Sequence, residues 1–207
     1  MFITLEGGEG SGKSTVARLL AERLRESGRA VTLTEEPAGT ALGRHVWGMF
    51  QHRDQAPVSP LAELLLFEAA RAQHVAEVIR PALARGDVVV CDRFSDSSVA
   101  YQGYGRELGE DLVDRLNEVA TGGLAPDLTL LLDVPLDVGL ARAREANDGG
   151  KAADAIGEES LAFHRRVRAG FAAIARREPA RVVTIDATRT LDEVADEAWK
   201  RVRERLW

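Results

Sequence analysis

Apolar residues fall into two alternating patterns along the chain. Short, nearly unbroken apolar runs occur at Phe2 to Leu5, Ala30 to Thr34, Val88 to Cys91, Leu128 to Val134 and Val182 to Ile185. Runs of that length read as strands. Several lack the polar alternation of a half-exposed sheet, which suits strands covered on both faces. Between them, helical patterns cover Lys13 to Ser27, Pro60 to Arg85, Glu110 to Thr121, Ser160 to Arg177 and Leu191 to Leu206. Gly28, Gly86 and Gly122 stand just past three of these segments, as helix-ending glycines do, and Pro81 predicts a kink inside the second. Strands alternating with helices predict an α/β fold, a parallel sheet with right-handed crossovers. From Asn147 to Gly157 the pattern lapses into small, polar and glycine residues, which predicts a mobile loop.

Composition narrows the function classes. A length of 207 residues predicts one domain over 1–207, long enough to bury a sizeable core. With 27 basic and 33 acidic side chains the formal net charge is −6, which argues against a general nucleic-acid binder but leaves room for a local anion pocket. The single Cys91 excludes an internal disulfide framework. The longest charge-free run, Ser97 to Gly105, is far short of the roughly 18 residues of a membrane span. The N-terminal residues show no secretory signal, so a cytoplasmic setting is expected.

One motif carries definite chemistry. Gly7, Gly8, Glu9, Gly10, Ser11, Gly12, Lys13 and Ser14 fit G-x-x-x-x-G-K-[ST] and are followed by Thr15. A strand enters the motif and an amphipathic helix leaves it, the context such a phosphate-binding loop requires. Glycines let backbone N–H groups turn inward around phosphate oxygens, and the helix N-terminus adds partial positive charge. Lys13 is placed to reach the β and γ phosphates, and Ser14 to offer its hydroxyl to Mg²⁺. The guanine-reading Asn-Lys-x-Asp pattern is absent from the sequence, so ATP is the expected donor.

A second cluster follows the third strand. Asp92 and Arg93 sit at a strand's C-terminal end, where α/β sheets bind ligands. Asp92 can join the Mg²⁺ shell and Arg93 can clamp a phosphate. Ser97, Ser98, Tyr101 and Gln102 add hydrogen-bonding groups suited to a sugar and a base edge. The same Asp-Arg pair can also be read as a plain strand-ending ion pair.

The segment Asp92-Arg93-Phe94-x-x-Ser97-x-x-Ala100-Tyr101-Gln102 resembles the signature of thymidylate kinases. So do Leu5-Glu6-Gly7, Glu36-Pro37-x-Gly39-Thr40, Leu66-Phe67-x-Ala69-x-Arg71-Ala72-x-His74, Pro126-Asp127-Leu128 and Leu132-Asp133-Val134-Pro135 with Leu140-x-Arg142. These motifs span nearly the whole chain in the order expected. The resemblance implies a P-loop NTPase three-layer fold, a five-stranded parallel sheet flanked by helices with a short lid. It further implies ATP-dependent phosphorylation of dTMP to dTDP, with Mg²⁺, in a homodimer. On that resemblance Phe67 stacks on thymine and Arg71 donates to a thymine carbonyl. Ser98 and Gln102 read the rest of the base edge, and Tyr101 packs by the deoxyribose. Arg93 holds the acceptor phosphate with Glu9 nearby, and Arg142 lies against adenine opposite the loop Asp186 to Arg189. Read without the resemblance, Phe67 is a core residue and Arg71 lies on a solvated helix face.

The chain departs from the family in three places. The lid, 145–159, reads Asp154-Ala155-Ile156-Gly157 where an arginine usually follows the aspartate. The P-loop lacks the arginine of the family's other branch, and Glu35 reverses a charge before Glu36-Pro37. Arg144 or Lys151 is the expected replacement for the lid cation, Arg144 the favoured one because a guanidinium bridges phosphate oxygens. A deoxynucleoside kinase and a weakly active regulatory nucleotide binder remain as rival readings.

Overall fold

The computed structural model describes residues 1–51, 57–148 and 159–206. Strand β1 (Phe2–Glu6) runs through the glycine-rich turn into helix α1 (Lys13–Glu26). Strand β2 (Val31–Glu35) is followed by α2 (Ala41–Gln51) and α3 (Pro60–His74). Helix α3 continues through a π-helical turn, Val75–Ile79, into α4 (Arg80–Ala84). Strand β3 (Val88–Asp92) leads to α5 (Ser95–Ser98), a π-helical stretch Val99–Gly105, and α6 (Glu110–Thr121). Strand β4 (Leu128–Asp133), α7 (Leu136–Asp148), α8 (Leu161–Arg177), β5 (Val182–Asp186) and α9 (Leu191–Leu206) complete the described chain.

All five strands join one parallel sheet in the order β2-β3-β1-β4-β5. The chain first fills the β3 side of β1 and then crosses to the β4 side. The order therefore reverses at β1, and the crevice at the C-terminal ends of these strands is where such sheets bind ligands. One face of the sheet buries Leu5, Leu130 and Leu132 against Leu20 and Leu24 of α1 and Val202 of α9. The other face packs Val89, Cys91 and Leu131 beneath the π-turn residues and α8. Burying both faces gives the three layers that the apolar runs predict. The edge strands are the exceptions: all five residues of β2 keep some exposure, and Thr184 and Asp186 of β5 are exposed.

Three details depart from the sequence reading. The kink expected at Pro81 is a widened turn just before it, where the Arg80 N–H reaches back five residues to Val75. Pro81 has no N–H and its ring crowds the preceding turn, which the wider π geometry relieves. Helices α2 and α7 also went unanticipated. Gly43, Gly48 and Gly139 weaken their patterns, yet Val46 and Phe50 of α2 are buried and pack with Ala70 of α3. Finally, α7 runs through Asp148, so Asn147 and Asp148 are helical rather than loop. The rest of the expected loop, 149–157, lies outside the described residues.

Helix α7 lies directly on the phosphate-binding turn. Gly10 has φ +66°, and a Cβ there would stand 2.0 Å from the Gly139 carbonyl oxygen. A Cβ on Gly139 would stand 2.6 Å from the Glu9 carbonyl oxygen and 3.0 Å from Val134. Two backbones meet here with no room for a methyl group. Gly139→Ala is therefore expected to destabilise the fold by about 1–3 kcal/mol through overpacking. It is also expected to weaken nucleotide binding, because the loop must shift to admit the methyl. Urea unfolding and ATP titration of the same variant check both.

Candidate functional site

The glycine-rich turn closes on itself. Ser11 Oγ donates to the Gly8 carbonyl oxygen at 2.9 Å, and Lys13 Nζ donates to the same oxygen at 2.8 Å and to Ser11 Oγ at 3.2 Å. Lys13 is buried at the first position of α1. Burial, with Arg93 nearby, holds its ammonium down to about 8 from the ordinary 10.5, while Glu9, Asp92 and Glu6 pull the other way. Thr15 follows on the half-exposed side and accepts a long bond of 3.5 Å from Arg18.

Ser14 Oγ donates to Asp92 Oδ2 at 2.5 Å across the ends of α1 and β3. Asp92 Oδ1 is buried without a hydrogen-bond partner among the described residues. A hydroxyl beside a carboxylate with a spare lone pair is the sparse oxygen set that Mg²⁺ takes when substrate phosphates and water supply the remainder. The residues thus fit the expected ion.

A cavity of about 570 Å³ opens between the ends of β1 and β3 and the pair α2–α3. Glu9, Ser14, Asp92 and Arg93 line its sheet side. Phe67, Arg71, Ser98, Tyr101 and Gln102 line its helix side. The structure therefore brings every residue assigned to the acceptor into one space.

Arg93 has φ +68°, rare for a side chain with a Cβ. The Phe94 N–H donates to Glu6 Oε1 at 2.8 Å and Ser97 Oγ to Glu6 Oε2 at 2.6 Å, which holds this turn in place. Burial and the neighbouring Asp96 push the Glu6 carboxyl up to about 8. Arg93 Nη2 donates to Glu9 Oε1 at 3.0 Å, and the Tyr101 hydroxyl donates to the same oxygen at 2.8 Å. The Arg93 guanidinium sits 5.1 Å from the Tyr101 ring centre. Burial alone would raise Glu9, but Arg93, Lys13 and the Tyr101 hydroxyl bring it down to about 2.

The helix side of the cavity is built on α3. Phe67 stacks on Phe50 with ring centres 4.9 Å apart and is half-buried, so one face packs and the residue still borders the cavity. Arg71 is not on a solvated face: it is 3% exposed. Its Nε donates to Glu36 at 2.9 Å, and its Nη1 to Glu68, Ser98 and Asn117 at 2.7 to 3.0 Å. Its Nη2 donates to the Phe94 carbonyl oxygen at 3.2 Å. Gln102 Nε2 donates to Glu63 Oε1 at 2.9 Å, with Arg106 on the same carboxylate.

On the other side of the turn, Arg142 Nη1 donates to the Ala187 carbonyl oxygen at 2.8 Å, joining α7 directly to the loop after β5. Arg144 is exposed on α7 and makes no hydrogen bond or ion pair among the described residues. Lys151 and Ala155 lie outside the described residues.

Several neighbours of these residues were given no role from the sequence, although His74 closes the motif that begins at Leu66. Glu68 and His74 stand three residues either side of Arg71 and share its helical face, a spacing that could have flagged them. Asn117 arrives from α6 and carries no local signal. His164 is buried with Nε2 unpartnered among the described residues, and it borders a small hollow under Gly7, Gly8 and Glu9.

A family model described as "Thymidylate kinase" matches residues 5–198. A protein named "Thymidylate kinase" from Synechococcus sp. (strain JA-2-3B'a(2-13)) is 56% identical over 206 residues, covering 100% of this chain and 96% of its own length. Another of that name, from Syntrophotalea carbinolica, is 51% identical over 200 residues, covering 96% and 93%. The crystal structure of thymidylate kinase from Ehrlichia chaffeensis superposes with a TM-score of 0.78 at 36% identity, covering 98% of each chain.

The depressed Lys13 predicts a pH dependence of nucleotide binding. Above pH 8 the free protein's Lys13 is neutral, and binding an anionic triphosphate must then draw in a proton. ATP affinity is expected to fall by up to about tenfold per pH unit above that point, the limit for one coupled proton. Titration calorimetry in buffers of different ionisation enthalpy reads the proton uptake. Lys13→Met is expected to abolish it, which separates Lys13 from Glu6, the other group titrating near pH 8.

Proposed function

The chain belongs to the thymidylate kinase family, and we propose that each half of its crevice serves one substrate of that reaction. The reaction is the transfer of the γ-phosphoryl group of ATP to dTMP, giving dTDP and ADP. The protein is a phosphotransferase whose acceptor is itself a phosphate group. The observation that carries the assignment of halves is the single cavity in which Lys13's loop, Arg93 and Arg71 converge.

Phosphoryl transfer asks the protein for in-line positioning and positive charge rather than covalent chemistry. A dTMP phosphate oxygen attacks the γ phosphorus while the bond to the ADP oxygen breaks. The backbone N–H groups of residues 7 to 15 cradle the donor phosphates, with Lys13 meeting the bridging charge. Arg142, tied to the loop after β5, bounds the adenine. Arg93 grips the acceptor phosphate, and Glu9 keeps Arg93 and the Tyr101 hydroxyl in place before it arrives. Phe67 offers its free ring face to thymine, Arg71 donates to its 4-keto oxygen, and Ser98 and Gln102 complete the edge. Ser14 and Asp92 would hold Mg²⁺, which would supply charge neutralisation on the transferring phosphates. Glu9, held near 2 and paired with Arg93, is too weak a base to activate a nucleoside hydroxyl itself.

The remaining assignments rest on the family. We place 1–207 in one domain with 145–159 as its lid, and the protein in the cytoplasm, whose nucleotide pool holds both substrates. No described helix is long and apolar enough to cross a membrane. A homodimer suits the exposed pairs Leu42 and Met49 on α2 and Leu61 and Leu65 on the adjoining α3.

A coupled ADP-release assay across the nucleoside monophosphates tests the function, with dTMP expected to be preferred over dCMP and the purine monophosphates. Arg71→Ala is expected to lower kcat/KM for dTMP by at least about tenfold, a buried charged hydrogen bond's worth, and to lower it less for dCMP. Equal losses for both would remove Arg71 from base reading.

The lid cation is assigned to Arg144, which has no partner among the described residues and stands two positions past Arg142. Arg144→Ala is expected to lower kcat by more than about tenfold, as loss of a charged clamp does, with smaller changes in either KM. Ala155→Arg is expected to restore part of it. Unchanged kcat in Arg144→Ala, Lys151→Ala and the double variant would place the cation elsewhere.

A further inference from the structure

We propose that His74 is a positioning residue for base recognition: through Glu36 it locks Arg71 in the one pose that presents a single free N–H to the pyrimidine. The inference rests on Arg71 being the base-reading group and names what holds it there.

The chain of contacts is continuous and buried. His74 is 0% exposed, and its ring spans the gap between β2 and the turn after it. Nδ1 lies 3.0 Å from Glu36 Oε1, and Nε2 lies 2.7 Å from Thr34 Oγ1. An ionised Glu36 can only accept, so Nδ1 must carry a hydrogen. In the neutral ring Nε2 is then bare and accepts the Thr34 hydroxyl. The other Glu36 oxygen accepts Arg71 Nε at 2.9 Å. Glu36 is thus gripped from two consecutive turns of one helix, by Arg71 and by His74.

The grip matters because of hydrogen-bond arithmetic. A guanidinium has five N–H groups. In Arg71 the Nε hydrogen goes to Glu36, both Nη1 hydrogens are shared among Glu68, Ser98 and Asn117, and one Nη2 hydrogen goes to the Phe94 carbonyl oxygen. One donor is left, on a group that borders the cavity. A fixed lone donor donates to a keto oxygen and opposes an amino group. A guanidinium free to rotate about its last torsions could turn that donor aside and tolerate either. Glu36 is the only one of these anchors on Nε, the atom that sets the plane of the guanidinium.

The loop after β2 supports the same reading. A Cβ on Gly39 would stand 2.6 Å from His74 Nε2, so this glycine lets the backbone close over the ring. His74 is thereby clamped on the side away from α3, and no described contact of His74 reaches the cavity lining except through Glu36.

The test uses His74→Phe, which keeps the ring and removes both nitrogens, and His74→Asn, which keeps a donor near the Nδ1 position. Steady-state kinetics are measured for dTMP, dCMP and ATP, with thermal melts of each variant. His74→Phe is expected to raise the KM for dTMP about tenfold, the scale of one lost charged hydrogen bond, with kcat and the KM for ATP within about twofold. The dTMP over dCMP preference is expected to fall by a similar factor, and His74→Asn to recover most of it. A folded His74→Phe with unchanged preference overturns the proposal, as does a His74→Asn no better than His74→Phe. Nitrogen-15 NMR of the unaltered protein provides an arm that needs no variant to fold: His74 with a hydrogen on Nδ1 supports the proposal, and a bare Nδ1 overturns it. Arg71→Ala separates the two levels. If it spares the preference, the base-reading assignment itself fails; if it destroys the preference while His74→Phe keeps it, only the role of His74 fails.

Discussion

The buried carboxylate of Glu6 is the contact on which the active geometry depends. It closes β1 one residue before the phosphate-binding turn, and its two oxygens hold the Phe94 N–H and the Ser97 hydroxyl just after Arg93. The donor loop and the acceptor loop are thus fastened to one side chain. That fastening holds Arg93 at a positive φ, a conformation that costs of order 1–3 kcal/mol and persists only where surrounding contacts fix it. A glycine would relieve the strain but would remove the guanidinium that borders the cavity beside Glu9. Glu6 itself is held up near 8 by its burial and by Asp96, whose own carboxylate is held by Arg181 through two hydrogen bonds. Strand ends, turn and helix start are therefore joined through side chains as well as through backbone pairing.

Around that joint the site is assembled from paired charges. Arg71 sits among Glu36 and Glu68, Arg93 against Glu9, and Arg106 against Glu63. Burying any of these guanidinium groups alone would be prohibitive, and each carboxylate offsets that cost. The pairing also explains why a protein of net negative charge can hold two polyanionic nucleotides. The local field is set by which arginines keep spare donors, not by the overall charge balance.

Much of this was legible in the sequence. Strand positions followed from unbroken apolar runs because both faces of most strands are buried, and the phosphate loop followed from its glycines and Lys13 in a strand-to-helix context. The signature after β3 located Arg93, Ser98, Tyr101 and Gln102, and the structure gathers them at one cavity. What stayed hidden is what depends on distant elements. Asn117 meets Arg71 from 46 positions away, and no periodicity announces such a partner. Helices α2 and α7 escaped because glycines weaken their patterns, and two of these, Gly43 and Gly139, serve close packing against the Pro37 and Glu9 backbones. Arg71 on a solvated face was a fair reading of an arginine in a helix, and it failed because Glu36 from the turn after β2 and Asn117 from α6 join Glu68 of its own helix around it.

The two arginines of the acceptor pocket show how one residue type serves two tasks. Arg71 makes short bonds, most of them between 2.7 and 3.0 Å, and has nearly exhausted its donors on the protein. A group so held cannot follow a ligand; it can only accept or reject what fits its remaining hydrogen, which suits discrimination between bases. Arg93 makes two long bonds of 3.3 Å, to the Gly7 carbonyl oxygen and Ser97, and one of 3.0 Å to Glu9. In the proposed role, those contacts would be exchanged for oxygens of the acceptor phosphate. Rigidity is thus placed where the ligand must be read, and compliance where it must be gripped. The division follows from how many strong acceptors the fold brings to each side chain.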